Sequence, residues 1–565
     1  MNNRIIGKLK RVPTFSRGST SMTSCMMMSS HTHWTNRNKA KSLSDISPIA
    51  SQYLQRILTS QVYGAAIETP LTHAANISLL LGNEVYLKRE DCQPVFSFKI
   101  RGAYNRIAKL DRDLLKKGIV TCSAGNHAQG VALSAQKLGI HATIVMPMGT
   151  PNIKVNAVRR FGGPTVEIKL HGQNYDEAAA EAKRLVIEKG LTLVHPFDDV
   201  DVIAGQGTIG MEIIKALNGK NLDAIFVCVG GGGLLAGIAA FVKAIRPEVK
   251  VIGVEADDAA GMTESLRAGK VVTLQSVGLF ADGAAVKTVG NETFNVCRQL
   301  VDEMITVQTD EICAAIKLGF NDTRCVLEPA GALAIAGMVK YSKLYSDKGK
   351  TFVAISSGAN MDFDRLRFVS ERADSSESLM AVAIPEKAGS FRKLYKRIYP
   401  RNVTEFIYRH NGSSKANVFV SFQALSGHSS QQDKEAVCKD LITEGYIVTD
   451  LSSNEMAKSH ARHLAGGRAT SDILNDTEIK ELVFRFEFPE APGALNKFLD
   501  TINQFNQGWS ISLFHYRNHG HDFGRVLVGL LVKDSEKVAF NLFLQKLGYT
   551  YYEETNNIAY TQFLR

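Results

Sequence analysis

The sequence has few cysteines, and none of them stands in a metal-binding or redox pattern. Its eight cysteines are scattered over 565 residues without a Cys-x-x-Cys pair. This distribution disfavours a metal cluster and a disulfide framework, and it fits a reducing compartment. The motifs His-Glu-x-x-His, Gly-x-Ser-x-Gly and Walker A are also missing. We therefore expect no metal site, no nucleophilic serine elbow and no P-loop.

Acidic residues are absent from the first 44 positions, whereas basic residues are frequent there. Eight Lys or Arg residues lie in this segment, namely Arg4, Lys8, Lys10, Arg11, Arg17, Arg37, Lys39 and Lys41. A basic, serine-rich and acid-free start is typical of a mitochondrial transit peptide, so residues 1–45 are predicted to be a disordered transit peptide that directs the protein to the mitochondrial matrix. A disordered basic tail is the alternative. A secretory signal is disfavoured because no continuous apolar core follows the basic start.

The positive charge of the chain is concentrated in that first segment. The net charge is +10, and the residues after position 44 carry only +2 of it. No stripe of basic and aromatic residues follows, so we expect no nucleic-acid partner. The longest uncharged run, 224–242, is long enough for a membrane span, but four consecutive glycines in its middle argue against one. We therefore expect no membrane partner either.

Apolar runs alternate with helical patterns from about residue 46 to residue 370. The clearest runs are "ATIVMP" (142–147), "AIFVCVG" (224–230), "VKVIGVEA" (249–256) and "TFVAISSG" (351–358). Continuous Val- and Ile-rich runs separated by helices are typical of parallel strands that are buried on both faces. The pattern predicts an α/β domain over residues 46–372, with ligands bound at the carboxyl ends of its strands.

The last third of the chain contains two similar segments. "LMAVAIPEKAGSFRKLYKRI" (379–398) resembles "LVFRFEFPEAPGALNKFLDTI" (482–502), and Tyr-Arg pairs follow at 408–409 and 516–517. Each copy reads as a strand, a Pro-Glu turn with a glycine three residues later, and an amphipathic helix. The spacing indicates a duplicated α+β unit, although chance similarity of two such segments remains an alternative.

Lys99 lies in an apolar and aromatic run, "CQPVFSFKIRGA" (92–103). Burial of a lysine lowers the pKa of its amine, and a neutral amine can attack a carbonyl group and hold it as a Schiff base. A lysine between apolar residues can also be a surface residue whose charged end reaches water. The segment alone leaves both interpretations open.

Four consecutive glycines, Gly230, Gly231, Gly232 and Gly233, follow a predicted strand and precede a predicted helix (234–245). Such a loop lets backbone N–H groups converge on an anion, and the helix start adds a favourable dipole. Because the spacing is not Gly-x-Gly-x-x-Gly, the loop suits one compact phosphate better than a dinucleotide. A tightly packed turn without a ligand is the alternative.

Two further segments follow strand-like runs. In "CSAGNHAQG" (122–130), small residues precede a predicted helix whose first N–H groups can bind a carboxylate. The side chains of Ser123, Asn126 and His127 could form hydrogen bonds with a small polar ligand. In "ISSGAN" (355–360), Ser357 offers a neutral hydroxyl that could bond a pyridine nitrogen. Helix capping and a plain strand-to-helix turn are the alternatives, and His127 suits an orienting or core role better than that of a base.

Together these four features match the requirements of pyridoxal phosphate bound to an amino acid. The segments 86–103, 123–130, 229–237 and 356–360 ("YLKREDCQPVFSFKIRGA", "SAGNHAQG", "VGGGGLLAG" and "SSGAN") resemble the fold-type II pyridoxal-phosphate enzymes, and among these the threonine dehydratases (threonine ammonia-lyases). The duplicated tail is similar to the paired ACT-like regulatory units of the biosynthetic form, and the basic start is similar to mitochondrial, fungal-like versions. The resemblance implies a tryptophan-synthase-β-like catalytic domain followed by ACT-like units at 378–454 and 478–565.

The resemblance also implies a role for each matching residue. Lys99 would carry pyridoxal 5'-phosphate, with Phe98 against it, and Asn126 would bond the phenolic oxygen of the cofactor. Ser357 would face the pyridine nitrogen, although the adjacent Ser356 could do so instead. The phosphate would be held by Gly230, Gly231, Gly232, Gly233 and the Leu234 amide. The substrate carboxylate would be bound by Ser123, Ala124, Gly125, Asn126 and His127.

For the whole protein, the resemblance implies dehydration and deamination of L-threonine, and also of L-serine. It further implies inhibition by isoleucine, antagonism by valine and a homotetramer. Two other functions are weighed against this one: a serine racemase or another β-elimination enzyme, and a mitochondrial amino-acid sensor without catalysis. A cation site near Glu255, as in some related enzymes, cannot be assigned from the sequence, and a structural role for Glu255 is equally compatible with it.

Overall fold

The computed structural model describes most of the chain. The described residues are 33–36, 47–346, 348–373, 377–385, 390–401, 403–409, 415–425, 430–460, 479–489, 494–505, 509–517 and 523–564. Strands are numbered in chain order below. The transit peptide predicted for residues 1–45 lies outside the described residues, except for positions 33–36.

A seven-stranded sheet forms the centre of the catalytic part. Its spatial order is β1 (His33–Thr35), β10 (Glu303–Val307), β9 (Lys250–Ala256), β8 (Ala224–Cys228), β11 (Thr351–Ser356), β3 (Glu84–Arg89) and β2 (Leu71–His73). The five inner strands run parallel, and only the two edge strands are antiparallel to their neighbours. Strands β8, β9, β10 and β11 are almost entirely buried and mostly apolar, because helices cover both faces of a parallel sheet. The α/β prediction is therefore confirmed.

Two groups of helices cover this sheet. One group includes Pro48–Leu58, Val200–Ala216, Gly233–Ile245 and Asn291–Leu300, and the other includes Ala75–Leu81, Thr309–Thr323, Pro329–Tyr345 and Arg365–Arg372. Helix Gly261–Ala268 follows β9. The largest hydrophobic core of the described residues lies between these helices and the sheet.

A second, smaller sheet lies beside the large one. Its four parallel strands have the order β6 (Val166–Leu170), β5 (Ala142–Met146), β4 (Ile119–Cys122) and β7 (Thr192–Leu193). Its helices are Lys99–Ala108, Arg112–Lys117, Asn126–Leu138, Asn152–Gly162 and Tyr175–Lys189. Helix Lys99–Ala108 packs against helices of both parts. The residue that begins this helix therefore lies between the two sheets.

The tail forms two antiparallel sheets with the same topology. The first has the order β13 (Val403–Arg409), β14 (Lys415–Gln423), β12 (Glu377–Pro385) and β15 (Ile447–Asp450). The second has the order β17 (Ser510–Arg517), β18 (Phe523–Lys533), β16 (Ile479–Pro489) and β19 (Thr550–Glu553). Their helices are Ser390–Ile398, Ser430–Thr443 and Glu455–Ser459 in the first half, and Ala494–Phe505 and Lys537–Leu547 in the second. The prediction of two α+β units is confirmed, while the Glu and Gly residues of both Pro-Glu-x-x-Gly turns (386–389 and 490–493) lie outside the described residues.

The two tail units share one hydrophobic core, called the seam below. Its residues from the first unit are Leu379, Ala381, Phe419, Leu451, Met456 and Ala457, and those from the second are Val483, Leu527, Ala559, Tyr560, Phe563 and Leu564. Polar contacts extend it, such as Asn454 Nδ2, which donates to Asn557 Oδ1 over 3.1 Å. The burial of these apolar side chains holds the two units together.

Both tail units also contact the catalytic part through helix Arg365–Arg372 and its surroundings. Asp310 pairs with Lys458 of the first unit and, over 3.2 Å, with Arg372. The Arg525 guanidinium of the second unit lies 5.9 Å from the ring centroid of Phe368. Phe368 in turn packs on Phe280, with ring centroids 5.2 Å apart.

Residues 33–36 differ from the disordered segment expected for positions 1–45. His33 to Thr35 form an edge strand on β10, and His33 Nε2 lies 3.0 Å from Glu303 Oε2. Trp34 packs against the main core. Aromatic and β-branched residues favour such a half-buried strand, and the basic composition of the segment obscured this local preference.

Within the described residues, none of the helices has both the length and the apolar character needed to span a bilayer.

Candidate active site

The sequence motifs meet at one edge of the large sheet. Strands β8, β11 and β3 are neighbours and run parallel, so that their carboxyl ends lie side by side. The glycine loop follows β8, Ser357 follows β11, and Lys99 is the tenth residue after β3. Ser97 pairs with Gly358, and the Phe98 N–H donates to the Ser357 carbonyl over 3.1 Å. The chain before Lys99 is thus attached directly to the end of β11.

Lys99 begins helix Lys99–Ala108 and is partly buried. Its Nζ donates to the Pro196 carbonyl over 3.0 Å and lies 5.3 Å from the ring centroid of Phe98. Burial lowers the pKa of the Lys99 amine to about 8, against the opposing effects of Cys228 and Glu328. A substantial fraction of this amine is therefore neutral near physiological pH, as a nucleophile or a base requires.

The glycine loop leaves its backbone donors free. Among the described residues, the N–H groups of Gly230 to Gly233 donate to no other protein group. Gly232 has φ +94°, a backbone conformation that favours glycine, and helix Gly233–Ile245 begins directly after it. Added Cβ atoms would meet Phe197 at Gly231 and Gly233, and Ala284 at Gly230. The loop is thus a close-packed cradle of donors, and the buried Leu234 amide follows in the first turn of the helix.

The loop from Ser123 to His127 joins β4 to helix Asn126–Leu138. Gly125 donates its N–H to Ser123 Oγ over 3.3 Å, while the N–H groups of Ala124, Asn126 and His127 have no acceptor among the described residues. An added Cβ at Gly125 would meet no atom within 4 Å, so this turn borders open space. Free N–H groups at the start of a helix, facing open space, can bind a carboxylate.

Asn126 is held by two side chains from the large part. Its Nδ2 donates to Glu328 Oε1 over 2.6 Å, and its Oδ1 accepts from Asn360 Nδ2 over 2.7 Å. Asn360 Nδ2 also donates to the Val95 carbonyl over 2.8 Å. Burial raises the pKa of Glu328 to about 7, and the nearby Asp282 adds to this shift. This network crosses the cleft between the two sheets.

His127 is a buried, neutral histidine. Its Nε2 donates to the Val194 carbonyl over 3.0 Å, and its Nδ1 has no partner among the described residues. Burial lowers the pKa of His127 to about 3, and the positive charge of Lys99 adds to this effect. The ring therefore orients the loop rather than acting as a proton acceptor near neutral pH.

Ser357 lies beside a cysteine at the end of β8. Its Oγ accepts a hydrogen bond from Cys228 Sγ over 3.2 Å and donates to the Ala330 carbonyl over 3.3 Å. Burial raises the pKa of the Cys228 thiol to about 11, so this neighbour stays neutral. Ser356 Oγ is also buried and has no partner among the described residues. The candidate ring-nitrogen partners are thus neutral hydroxyl groups.

Glu255 is engaged at a helix start. Its carboxylate accepts from the Met262 and Thr263 N–H groups over 2.8 and 2.9 Å, and from Thr263 Oγ1 over 2.7 Å. These bonds satisfy donors in the first turn of helix Gly261–Ala268. No group of three or more His, Cys, Asp or Glu side chains in the described part of the chain could hold a metal ion.

A buried ionic cluster fixes the helix that carries Lys99. Arg101 pairs with Glu90 over 2.7 Å and with Glu212 over 2.6 Å, and Lys88 pairs with Glu212 over 2.6 Å. All four side chains are at most 2% exposed. The paired charges tie the end of β3 and helix Val200–Ala216 to the helix that begins at Lys99.

The structure adds residues that the sequence reasoning missed. Glu328 and Asn360 hold Asn126, Phe197 packs under the glycine loop, and Cys228 adjoins Ser357. Asn360 lies in the "SSGAN" segment, whose sequence pattern alone gives it no role. Glu328 precedes Pro329 at a helix start, a local signal for a cap that could have drawn attention to its carboxylate.

Comparison with protein families agrees with this geometry. Residues 62–358 match the pyridoxal-phosphate-dependent enzymes. Residues 369–461 and 476–564 match the C-terminal regulatory domain of threonine dehydratase. The fold and the site thus define a fold-type II pyridoxal-phosphate enzyme with two regulatory units.

Individual relatives are similar over almost the whole chain. The biosynthetic L-threonine dehydratase of Burkholderia multivorans is 52% identical over 515 residues, 91% of this chain and 99% of the relative. The mitochondrial threonine dehydratase of Schizosaccharomyces pombe is 50% identical over 518 residues, 91% of this chain and 84% of the relative. The structure of processed threonine deaminase isoform 2 from Solanum lycopersicum matches with a TM-score of 0.57 at 50% identity, over 60% of this chain and 91% of that one. The chain belongs to the biosynthetic threonine dehydratase family.

Proposed function

We propose that the protein converts L-threonine into 2-oxobutanoate and ammonia, with pyridoxal phosphate as cofactor, at the first committed step of isoleucine biosynthesis. L-Serine is the expected second substrate. The observation that carries the proposal is Lys99, an amine with a pKa of about 8 that lies where the ends of β3, β8 and β11 meet. The biosynthetic threonine dehydratases that are about half identical over nearly the whole chain support threonine as the substrate.

The residues present fit the cofactor. A Cβ at any of Gly230 to Gly233 would collide with neighbouring protein atoms, so only glycines keep this loop in place, and its free N–H groups suit a phosphate. Lys99 would hold the cofactor covalently, with Phe98 against it, and the Leu234 amide would join the glycine loop at the phosphate. Asn126 would donate to its phenolic oxygen, and Ser357 would turn its hydroxyl hydrogen from the Ala330 carbonyl to the ring nitrogen. These roles are the ones that the resemblance to the family implies for these residues.

The proposed chemistry needs a base at the substrate Cα. When bound, pyridoxal phosphate supplies an electron-withdrawing ring conjugated to the amino group of the substrate. The free N–H groups of Ala124, Asn126 and His127 would bind the substrate carboxylate, with Ser123 and Gly125 shaping the turn. Once the substrate amino group has displaced Lys99 from the cofactor, the freed neutral Lys99 amine would accept the Cα proton. The β-hydroxyl would leave as water by taking up one proton, which the proton removed from Cα replaces. The released enamine would then take a proton from water at Cβ, and water addition at Cα would release ammonia and 2-oxobutanoate.

The neutral surroundings of the proposed ring-nitrogen site favour elimination. Ser357 is a hydroxyl, and the adjacent Cys228 thiol is neutral because burial raises its pKa to about 11. Neither group carries a negative charge that would stabilise a proton on the ring nitrogen, so the ring withdraws electrons less strongly than a protonated ring.

A racemase could use the same groups, but the two tail units and the similarity to dehydratases favour the dehydratase. A sensor without catalysis is disfavoured by the intact lysine and glycine loop.

We propose that the tail controls activity, with isoleucine as inhibitor and valine as antagonist. The proposed division keeps the expected catalytic domain 46–372 and second unit 478–565. The first unit, expected at 378–454, extends to Ser459, because Met456 and Ala457 of helix Glu455–Ser459 lie in the seam. Contacts such as Asp310 with Lys458 and Phe368 with Arg525 support a mechanical connection between tail and catalytic part. Control requires that an effector bind one state of this connection more tightly than another.

The test of the activity is release of 2-oxobutanoate from L-threonine by the protein without residues 1–32, which keeps the strand that pairs with β10, in the presence of pyridoxal phosphate. We expect turnover that isoleucine suppresses and valine restores. Turnover of L-serine with racemisation and no 2-oxobutanoate from threonine would favour the racemase. Absence of turnover despite bound cofactor would contradict the proposed reaction.

Truncation tests the regulatory proposal separately. A chain that ends after residue 375 lacks both tail units but keeps all the site residues. We expect this variant to convert threonine without a response to isoleucine. A truncated enzyme that isoleucine still inhibits would show that the sensor lies in the catalytic part.

For location and assembly, we propose the mitochondrial matrix and a homotetramer. The S. pombe and Saccharomyces cerevisiae relatives are mitochondrial by name, whereas a Solanum lycopersicum relative is chloroplastic. Because His33 to Thr35 pair with β10, a targeting segment would be removed before His33. Import into isolated mitochondria followed by N-terminal sequencing tests the location, and sedimentation equilibrium tests the tetramer.

A further inference from the structure

The amide of Asn126 has a fixed direction in the structure. Asn360 Nδ2 donates both to the Val95 backbone carbonyl, over 2.8 Å, and to Asn126 Oδ1, over 2.7 Å. A backbone carbonyl can only accept, so Asn360 cannot turn its amide without losing that bond. Asn126 must therefore present its oxygen to Asn360 and its amino group to the other side.

Glu328 receives the amino group on that other side. Asn126 Nδ2 donates to Glu328 Oε1 over 2.6 Å. If Asn126 were turned by 180°, its oxygen would face the carboxylate and its amino group would face the Asn360 amino group. Both contacts would then be repulsive, so an ionised Glu328 strengthens the direction that Asn360 imposes. One N–H of Asn126 remains without an acceptor among the described residues.

The surrounding backbone leaves space for this carboxylate because Gly358 adjoins it, and Gly283 lies at ordinary contact distance. An added Cβ at Gly358 would lie within 3.0 Å of Glu328 Oε1, and one at Gly283 would lie 3.5 Å from it. Glu328 also donates its backbone N–H to the Gly358 carbonyl over 3.1 Å. The carboxylate is thus anchored to the turn that follows Ser357, and it is 6% exposed.

Charged groups from several elements act on Glu328. Asp282 raises its pKa, while Arg365 and Lys154 lower it. Lys99 and the Cys228 thiol also interact with its charge, as the pKa shifts of both groups indicate. Asp282 is itself paired with Lys154 over 2.8 Å and with Arg365 over 3.2 Å. Glu328 therefore adjoins Asn126, and its negative charge raises the pKa of Lys99.

We propose that Glu328 is a positioning residue of the cofactor site. Together with Asn360, it directs the remaining N–H of Asn126 towards the phenolic oxygen of the cofactor. It also places a negative charge near that oxygen, separated from it only by Asn126. This inference rests on the proposed function, because it assigns that oxygen to Asn126. Glu328 acts through Asn126 and not by touching the cofactor. Its charge also favours a proton on the linkage between Lys99 and the cofactor.

The experiment measures cofactor affinity and the visible absorbance of bound pyridoxal phosphate as a function of pH. Glu328→Gln keeps an acceptor for Asn126 but removes the charge. We expect near-normal affinity and a downward shift of the pH at which the absorbance changes. Glu328→Ala and Asn360→Ala each remove one hold on Asn126, and each should weaken cofactor binding by about 2- to 12-fold, the worth of one hydrogen bond. Glu303→Gln, a buried glutamate at the amino end of β10, should change neither quantity.

A double-mutant comparison separates positioning from a merely structural role. Glu328→Ala combined with Asn126→Ala should bind cofactor no more weakly than Asn126→Ala alone, because Glu328 acts through Asn126. Additive losses, or a Glu328→Gln protein with an unshifted pH midpoint, would overturn the inference while the proposed function stands. If Glu328→Ala does not fold, Glu328→Gln and Asn360→Ala still decide between these outcomes. A wild-type protein that gives no Lys99-dependent absorbance would overturn the proposed function as well.

Discussion

The substitution Gly231→Ala should weaken cofactor binding by steric displacement of the glycine loop. A Cβ at residue 231 would lie well within 3.0 Å of three ring atoms of Phe197. Ordinary carbon contacts need about 3.5–4.0 Å, so the loop or the ring must move by roughly 1 Å. Overpacking of this kind costs about 1–3 kcal/mol, which corresponds to about 5- to 150-fold weaker binding if the strain is relieved by moving the N–H groups away from the phosphate.

The assay is equilibrium titration of the apoprotein with pyridoxal phosphate, alongside thermal unfolding of the apoprotein. Gly149→Ala is the matched control, because an added Cβ at Gly149 would have no atom within 4 Å. The double variant Gly231→Ala with Phe197→Ala removes the ring and should recover part of the lost affinity. Normal affinity of Gly231→Ala, or no recovery in the double variant, would refute the steric reasoning.

Three further predictions concern Lys99 and its helix. Lys99→Ala should retain the fold by circular dichroism but lose turnover and the absorbance of the covalently held cofactor, and full turnover would contradict the site. The rate at which the apoprotein forms the covalent linkage between Lys99 and the cofactor should rise with pH through about 8, because only the neutral amine reacts and its fraction increases as the pH rises. Stopped-flow absorbance measures this rate. A rate that does not change between pH 6 and 10 would contradict the lowered pKa of Lys99. Arg101→Met leaves the Glu90 and Glu212 carboxylates buried without their shared cation and should lower the free energy of unfolding by about 3–5 kcal/mol. The matched control Lys215→Met breaks only an exposed pair with Glu68 and should cost less than about 1 kcal/mol in urea denaturation, so equal losses would contradict this reasoning.

The sequence was sufficient to predict which motifs should meet. Buried strand runs separated by helices implied a parallel sheet, and the carboxyl ends of parallel strands share one edge. The glycine loop after β8 and Ser357 after β11 therefore had to lie near each other, and the structure has them on adjacent strands. The two tail units were likewise evident from the repeated strand and helix pattern.

The partners of these motifs could not be predicted in the same way. Asn126 and Glu328 are 202 residues apart, and their contact depends on how helix Pro329–Tyr345 packs against the sheet. Local periodicity carries no information on such packing. The edge strand at His33–Thr35 was missed for a similar reason, since its partner β10 lies about 270 residues later. The roles of the individual site residues remain predictions.

The seam between the tail units limits how regulatory parts can be exchanged between related enzymes. Tyr560 and Phe563 of the second unit are buried against Phe419 and Leu379 of the first. A chimaera cut between the units would pair two surfaces that were not selected to fit each other, and it would expose apolar side chains wherever they disagree. A cut between Ala373 and Glu377 transfers both units with their common core intact. The two tail units should therefore be exchanged between related enzymes only together, as one piece.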